Sequence, residues 1–433
     1  MQRQAEDSSI RSRALWRRRD HMLLAALWVG LYAQWTTVVP TIVPDQVSLL
    51  VGQSGKAAVA GLVLGAGAAV ALVVAPLAGM LSDRRQSARG RRRPYLVAGM
   101  LGSTVALWFA ALAGTSGPWP LYLLAVLNLQ FWWNWAAGPY AGLVPDIVPA
   151  PEQGVASSWT NVMSIVGTIA GNAVMAALYP SPGVFPVVAV LSALGLMGLA
   201  LTVAGTREPP AAGAPQSGMP RSVRPFWPAP RQHGDFYRVL VTRLAANLGI
   251  WSVFEFLLFY LEDVAGIGRP AAPGLLSALL GGGAILAIPA SMAGIRFADR
   301  FGIVRAVAAM SAVMAAAAAG YVAVAFYPRL WLVVPLVVLF SVGYGAYGAV
   351  DWALALRVLP NSRDSGKDMG IWHICMVLPQ VVGPAGTGVL ISALAAAFSP
   401  RLAYTVAFAV AAIWFLVATI VILPMRLAAK TET

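Results

Sequence analysis

Three ionisable residues lie inside apolar stretches of this sequence: Arg243 in RVLVTRLAANLGI, Glu255 in WSVFEFLLFY and Asp351 in GYGAYGAVDWALAL. A charged side chain in the middle of a membrane helix costs about 2.5–3.5 kcal/mol on insertion scales, so each is a candidate for handling protons or ions. An arginine beside an aspartate is either a static ion pair or one that opens when the carboxylate takes up a proton. Glu255 reads two ways: a protonatable group, or a carboxylate in an outer vestibule near Glu262 and Asp263. His373, in GIWHICMV, is either a hydrogen-bonded packing residue or part of a site.

A second group suits a neutral ligand. The run NLQFWWNW at 128–135 places Gln130 and Asn134 four residues apart, on one helical face, with Trp133 beside them. Gln34 and Trp35 follow Tyr32 in an earlier run. Aromatic faces cover the C–H surfaces of a polyhydroxylated ring, and amides bind its hydroxyls. Interfacial and packing roles compete with this reading, because fifteen tryptophans are spread along the chain. Other chemistries find no support. His21, His233, His373 and Cys375 show no metal-ligand spacing and no nucleophile–base pair. No glycine loop precedes a lysine in the phosphate-binding pattern. No cofactor is expected, and the chain is read as a non-enzyme.

The elements that position these residues follow from composition. Hydrophobic types make up 59% of 433 residues and charged types 11%, against about a quarter charged in a soluble domain. Runs of roughly 20 apolar residues recur along the chain, which makes it an all-α polytopic membrane protein. Hydropathy places twelve spans at 22–44, 57–81, 95–114, 120–143, 155–178, 183–204, 237–261, 272–294, 303–326, 330–355, 369–396 and 402–425. The first is too long for a signal peptide and is read as a retained span. The proline-rich segment 206–235 divides the chain into an N-terminal tail (1–21), a six-helix half (22–205), this linker, a second half (236–426) and a C-terminal tail (427–433).

The net charge of +13 does not point to nucleic acid, because the charges alternate with the spans. Of 30 Lys and Arg, 25 fall on the side of both termini, and Lys56, Arg269, Arg329 and Arg401 fall on the other, with Arg243 inside span 7. The positive-inside rule then puts both termini in the cytoplasm. The largest cluster is the 2–3 loop, GMLSDRRQSARGRRRPY, with six arginines between Arg84 and Arg93. Topology and attraction to anionic lipid explain its charge but not its placed Gly, Asp and Pro. A weaker copy, GIRFADRFG, follows span 8, and PDIVPAPEQGVASSW at 145–159 is echoed at 356–372, with Pro149, Gly154 and Trp159 matching Pro360, Gly366 and Trp372. Two related six-span halves are the organisation of many secondary transporters.

Gly79, Asp83, Arg84, Gly90, Arg91 and Arg92 fill the signature loop of the major facilitator superfamily, which this chain resembles over nearly its whole length. The longer form, SDR followed by GRRRP, looks like the sucrose–proton symporters, relatives of the glycoside–pentoside–hexuronide transporters. The resemblance implies two pseudo-symmetric halves working by alternating access, with spans 1, 4, 7 and 10 around a central cavity that would hold Arg243 and Asp351 together. It also implies that the loop is a cytoplasmic latch. Asp83 would lie at the end of the eleventh helix, the arginines would pair with Asp146 and Glu152, and Asp299 and Arg300 would act likewise in the second half. Substrate contacts would fall to Gln34, Trp35, Gln130, Trp133, Asn134 and His373, and proton coupling to Asp351, Arg243 and Glu255. Two departures stand out. Span 2 has no acid of the melibiose-type sodium symporters, and span 4 lacks the arginine of plant sucrose symporters.

The resulting expectation is a proton-coupled transporter of a sugar or glycoside, monomeric, in a bacterial inner membrane, with protons, solute and lipid as its partners and no nucleic acid. A drug or metabolite exporter of the same superfamily remains open, although the Gly–Pro pair sits in span 11 (Gly383, Pro384) rather than span 5. A membrane sensor that binds without transporting also remains open.

Overall fold

The structure, a computed structural model, describes residues 16–53, 55–85, 90–179, 183–208, 233–269, 271–327, 329–358 and 365–425, without the side chains of 150, 356, 365–370 and 373. Most of both tails and of the linker, Pro360 and the His373 side chain lie outside the described residues. The described chain is helical, with no strand among its elements. In order come α1 (Arg18–Val51), α2 (Lys56–Arg84), α3 (Arg93–Ser116), α4 (Trp119–Ile147), α5 (Gln153–Leu178) and α6 (Val184–Gly205). Then follow α7 (Gly234–Phe254 with Leu257–Asp263), α8 (Ala271–Phe301), α9 (Ile303–Phe326), α10 (Leu330–Arg357), α11 (Ser365–Ala397) and α12 (Pro400–Ile422).

Ten of these are long and apolar enough to cross a membrane, and the bent pair forming α7 is an eleventh. The remaining helix, α4, runs for 29 residues. Its tryptophans, Asn128, Gln130 and Asn134 lower its mean hydropathy, and the candidate ligand amides are among the residues responsible.

Two helices depart from the regular spans that hydropathy indicates. α1 opens into a π-turn at Val38–Ile42. Pro40 lies there and cannot donate a backbone hydrogen bond, so the wider turn accommodates it. Just before it, the Thr36 and Thr37 hydroxyls donate back to the carbonyls of Tyr32 and Ala33, each at 2.7 Å. α7 bends by 43° at Glu255–Phe256. No proline or glycine marks the bend in sequence, and nothing local explains it.

Each half packs by close backbone approach. In the N-terminal half α4 lies against α2 and α3, and α1 against α5 and α6; in the C-terminal half α12 lies against α7 and α9, and α10 against α8 and α9. The halves meet along α2–α11 and α5–α8. The α2–α11 seam is lined by glycine. A Cβ at Gly61 would run into the Pro384 carbonyl, one at Gly65 lies 2.7 Å from the Val381 carbonyl oxygen, and one at Gly388 would strike the Ala57 carbonyl. Membrane helices associate through such small-residue contacts because lipid supplies no hydrophobic drive.

Candidate functional site

Arg243 of α7 and Asp351 of α10 form a buried ion pair, the guanidinium Nη1 donating to Oδ2. Tyr347, one turn before Asp351, donates to its other carboxylate oxygen at 3.3 Å. The guanidinium carbon sits 3.3 Å from the centre of the Trp372 ring on α11, and Trp352 meets that ring edge-on at 4.8 Å. Three helices thus hold one arginine between a carboxylate and an aromatic face. The pair is closed on one side by the buried Phe236, Leu240, Ala355 and Ile371. Asn247 donates to the Arg243 carbonyl at 2.9 Å. The Nε of Arg243 and the indole N–H of Trp372 have no partner among the described residues, so polar capacity remains beside the pair. Removing one member of a buried pair costs 3–5 kcal/mol, because it strands the other charge.

Glu255 stands at the bend of α7, 2% exposed, and its Oε2 finds no hydrogen-bond partner among the described residues. It does not join Glu262 and Asp263, which are engaged elsewhere. The indole N–H of Trp251, one turn earlier, is also unpartnered.

The amide set is divided by the fold. Gln34 is fully buried and spoken for: its amide donates to the Leu191 carbonyl at 3.2 Å and its oxygen accepts from the Trp133 indole at 2.6 Å. Gln34 and Trp133 therefore tie α1, α4 and α6 together, which differs from the free ligand groups expected of them. Gln130 is buried against Gly67 of α2. Asn134 is half-buried and donates to the Gln130 carbonyl at 2.8 Å. Trp35 belongs to a chain of rings, Tyr140–Trp28–Tyr32–Trp35, that reaches the C-terminal half at Trp251, with Trp35 and Trp251 edge-on at 5.9 Å. Tyr32 of α1 and Tyr344 of α10 lie close enough to interact across the two halves.

One end of the molecule is bolted shut. Lys56, at the start of α2, pairs with Glu262 at 3.1 Å and Asp263 at 2.8 Å at the end of α7, and is itself 2% exposed. Arg269, beyond α7, pairs with Asp45 of α1, which also accepts from Tyr179 of α5. Tyr404 donates to Asp263 at 2.9 Å. The bonds of Lys56 and Arg269 cross between the halves at the end that the charge distribution assigns to the outside.

The arginine loop is at the opposite end, and the bonds among its described residues stay within the N-terminal half and the start of the linker. Arg92 is buried and grips Asp146 at 2.5 Å, Asp83 at 2.6 Å and the Ser82 hydroxyl at 3.1 Å; Arg91 reaches Asp146 at 2.5 Å. Asp146 holds the Arg91 guanidinium above its usual pKa by that hydrogen bond. Asp83, expected against α11, is instead on Arg92, with its side chain 53% exposed. Glu152 pairs with His21 at 3.0 Å, not with an arginine. Arg84, Asp299 and Arg300 are exposed, with no ion pair among the described residues. Gly79 sits loosely opposite Gly138 of α4, about 4 Å from an added Cβ.

The sequence pattern of the Major Facilitator Superfamily matches residues 22–384. The chain belongs to the Major Facilitator Superfamily. Solved structures agree on the fold. A bacterial homologue of the human lysosomal transporter Spinster, inward-facing and unoccupied, has a TM-score of 0.70 at 17% identity, covering 95% of this chain and 99% of its own. The nucleoside transporter NupG gives 0.69 at 15% identity over 94% and 98%. A D-xylose–proton symporter gives 0.68 at 14% identity over 92% and 96%. No curated protein sequence matches the chain.

In this major facilitator, sequence reasoning overlooked Glu208, just past α6. Its carboxylate accepts from the backbone N–H groups of Arg91 at 2.9 Å, Arg92 at 2.8 Å and Arg93 at 3.2 Å, capping α3 from outside that helix. Anionic oxygens are stabilised at such N-termini. Gly90, at φ +87°, makes room for it, since a Cβ there would meet the carboxylate. An acid three residues after a span end, facing a loop of arginines, was the available signal. The outer bolt was also missed: Lys56 and Arg269 read as topology marks, and Asp45 lay unnoticed beyond the hydropathy boundary of span 1.

Proposed function

We propose that this major facilitator is a secondary active transporter of a sugar or glycoside, coupled to protons, in a bacterial inner membrane with both termini in the cytoplasm. The reading places it near the sucrose–proton and glycoside–pentoside–hexuronide branch. The observation that carries it is the buried Arg243–Asp351 pair set between Tyr347 and Trp372. Protonation of Asp351 would remove the attraction and free a guanidinium, whose donors suit vicinal hydroxyls. Proton loss would restore the pair and release the solute. Glu255, buried with no partner for its Oε2 among the described residues, is a second proton-accepting group.

Substrate contacts are assigned to Trp35, Asn134, Gln130 and His373, with Gln34 and Trp133 as the frame behind the first three. The rings Tyr32, Trp35 and Trp251 would cover the apolar faces of the ligand. The loop from Gly79 to Arg92, with Asp146, Glu152, Asp299 and Arg300, is assigned to gating at the cytoplasmic end. With the outer end bolted, this reading takes the described conformation to be the one closed on the outside.

Counterflow tests the substrate class without requiring coupling. Liposomes preloaded with unlabelled sucrose, maltose or trehalose should take up labelled sugar transiently, and Trp35→Ala should abolish this. No exchange of any sugar, with exchange of a drug or nucleoside in the same vesicles, would replace the sugar reading.

A further inference from the structure

On the lipid-facing surface of the N-terminal half, α1, α5 and α6 leave a groove between them. It has a cavity volume of about 170 Å³ and is lined by Met22, Ala26 and Val29 of α1, Met163 of α5, and Met197 and Leu201 of α6, among other apolar residues. Its depth is consistent on all three helices. Val29 lies eleven residues into α1, Met163 ten into α5, and Leu194, also in the lining, eleven from the end of α6. At 1.5 Å per residue each is roughly 16 Å from its helix end, about half of a 30 Å hydrocarbon core. The lining runs from Met22 to Val29 and from Leu194 to Leu201, about 10 Å along each helix, so the groove covers the inner two thirds of one leaflet, the one on the side of both termini. Met22 and Met197 are exposed by 42% and 52%, and flexible thioethers adapt to an irregular chain.

The mouth of the groove is basic. Arg18 and Arg19 are exposed and stand one turn before Met22 and Leu23 on the same face of α1. Arg207, two residues beyond α6, is exposed, and the end of α6 packs on α1, where a Cβ at Gly205 would meet Leu23. The acids nearby are occupied: Asp20 accepts from the Arg17 backbone N–H at 2.9 Å, and Glu152 holds His21. An apolar groove under cations that have no ion pair among the described residues matches the upper part of an acyl chain beneath a negative headgroup.

We propose that this groove is a binding site for one anionic phospholipid, its acyl chain between α1, α5 and α6 and its phosphate on Arg18, Arg19 and Arg207. The site is separate from the transport path, so it stands whatever solute is carried. Occupancy would fasten the first span against α5 and α6.

Native mass spectrometry of the purified full-length protein tests this with phosphatidylglycerol and phosphatidylcholine of identical acyl chains. The wild type should retain one phosphatidylglycerol at least fivefold better than phosphatidylcholine. Met197→Trp, which fills the groove from an exposed position, should lose that adduct. Arg18→Gln with Arg19→Gln should keep chain binding but remove the headgroup preference. Equal retention of both lipids by the wild type, or a phosphatidylglycerol adduct unchanged in all variants, would overturn the proposal. Should the Met197 variant fail to fold, the arginine variant alone decides, since its side chains point into solvent.

Discussion

At the residue scale, the site rests on charges that burial makes expensive to separate. Asp351→Asn leaves Arg243 buried without a counter-charge and should lower thermal stability by an amount near 3–5 kcal/mol. Adding Arg243→Gln should recover most of that loss, while transport stays absent; melting curves of the single and double variants in one detergent check it. A single variant as stable as the wild type would mean the pair is not formed. Glu208→Ala should cost about 0.5–2 kcal/mol, the usual range for a lost helix cap, with no change in substrate affinity. Asp351 and Arg243 were legible in the sequence because ionisable residues in apolar runs announce themselves. Gln34 and Trp133 were legible as polar groups but not as partners, since the bond between them joins positions 99 residues apart.

At the element scale, the seam between α2 and α11 decides which end is closed. A Cβ at Gly61 has nowhere to go while the Pro384 carbonyl lies on it. Gly61→Val should hold that seam apart and favour the state open to the outside. Thiol labelling of Thr41→Cys, a fully buried position on α1, should then rise several-fold from the outer side; unchanged labelling would show that the seam does not set the state. The twelve spans could be read from hydropathy because 20-residue apolar runs leave few alternatives. The bend in α7 could not, since no proline or glycine marks it. The π-turn in α1 had Pro40 as a trace, but a proline within a span also fits a simple kink.

At the scale of the whole molecule, the two ends differ in kind. The outer end is joined across the halves by Lys56, Glu262, Asp263, Arg269 and Asp45, of which Lys56 and Asp45 are buried. At the other end the arginine loop is braced inside one half by Asp146 and Glu208. Lys56→Met should strand two carboxylates and weaken the bolt. Spin-label distances between the outer ends of α1 and α7 should broaden towards longer values; an unaltered distribution would remove Lys56 from the gate. Two-half organisation was visible in the repeated loops and the alternating charge. The conformation was not, because it depends on which long-range bonds are made, and the same residues serve both states.

The central claim is that solute movement is driven by protons through Asp351. The most direct test is uptake of labelled sucrose, maltose and trehalose into liposomes bearing the purified protein, under an imposed inward proton gradient, with Asp351→Asn beside the wild type. The account predicts accumulation above the external concentration that collapses when the gradient is dissipated and is absent in Asp351→Asn. Accumulation that persists without a gradient, or that survives in Asp351→Asn, would contradict it.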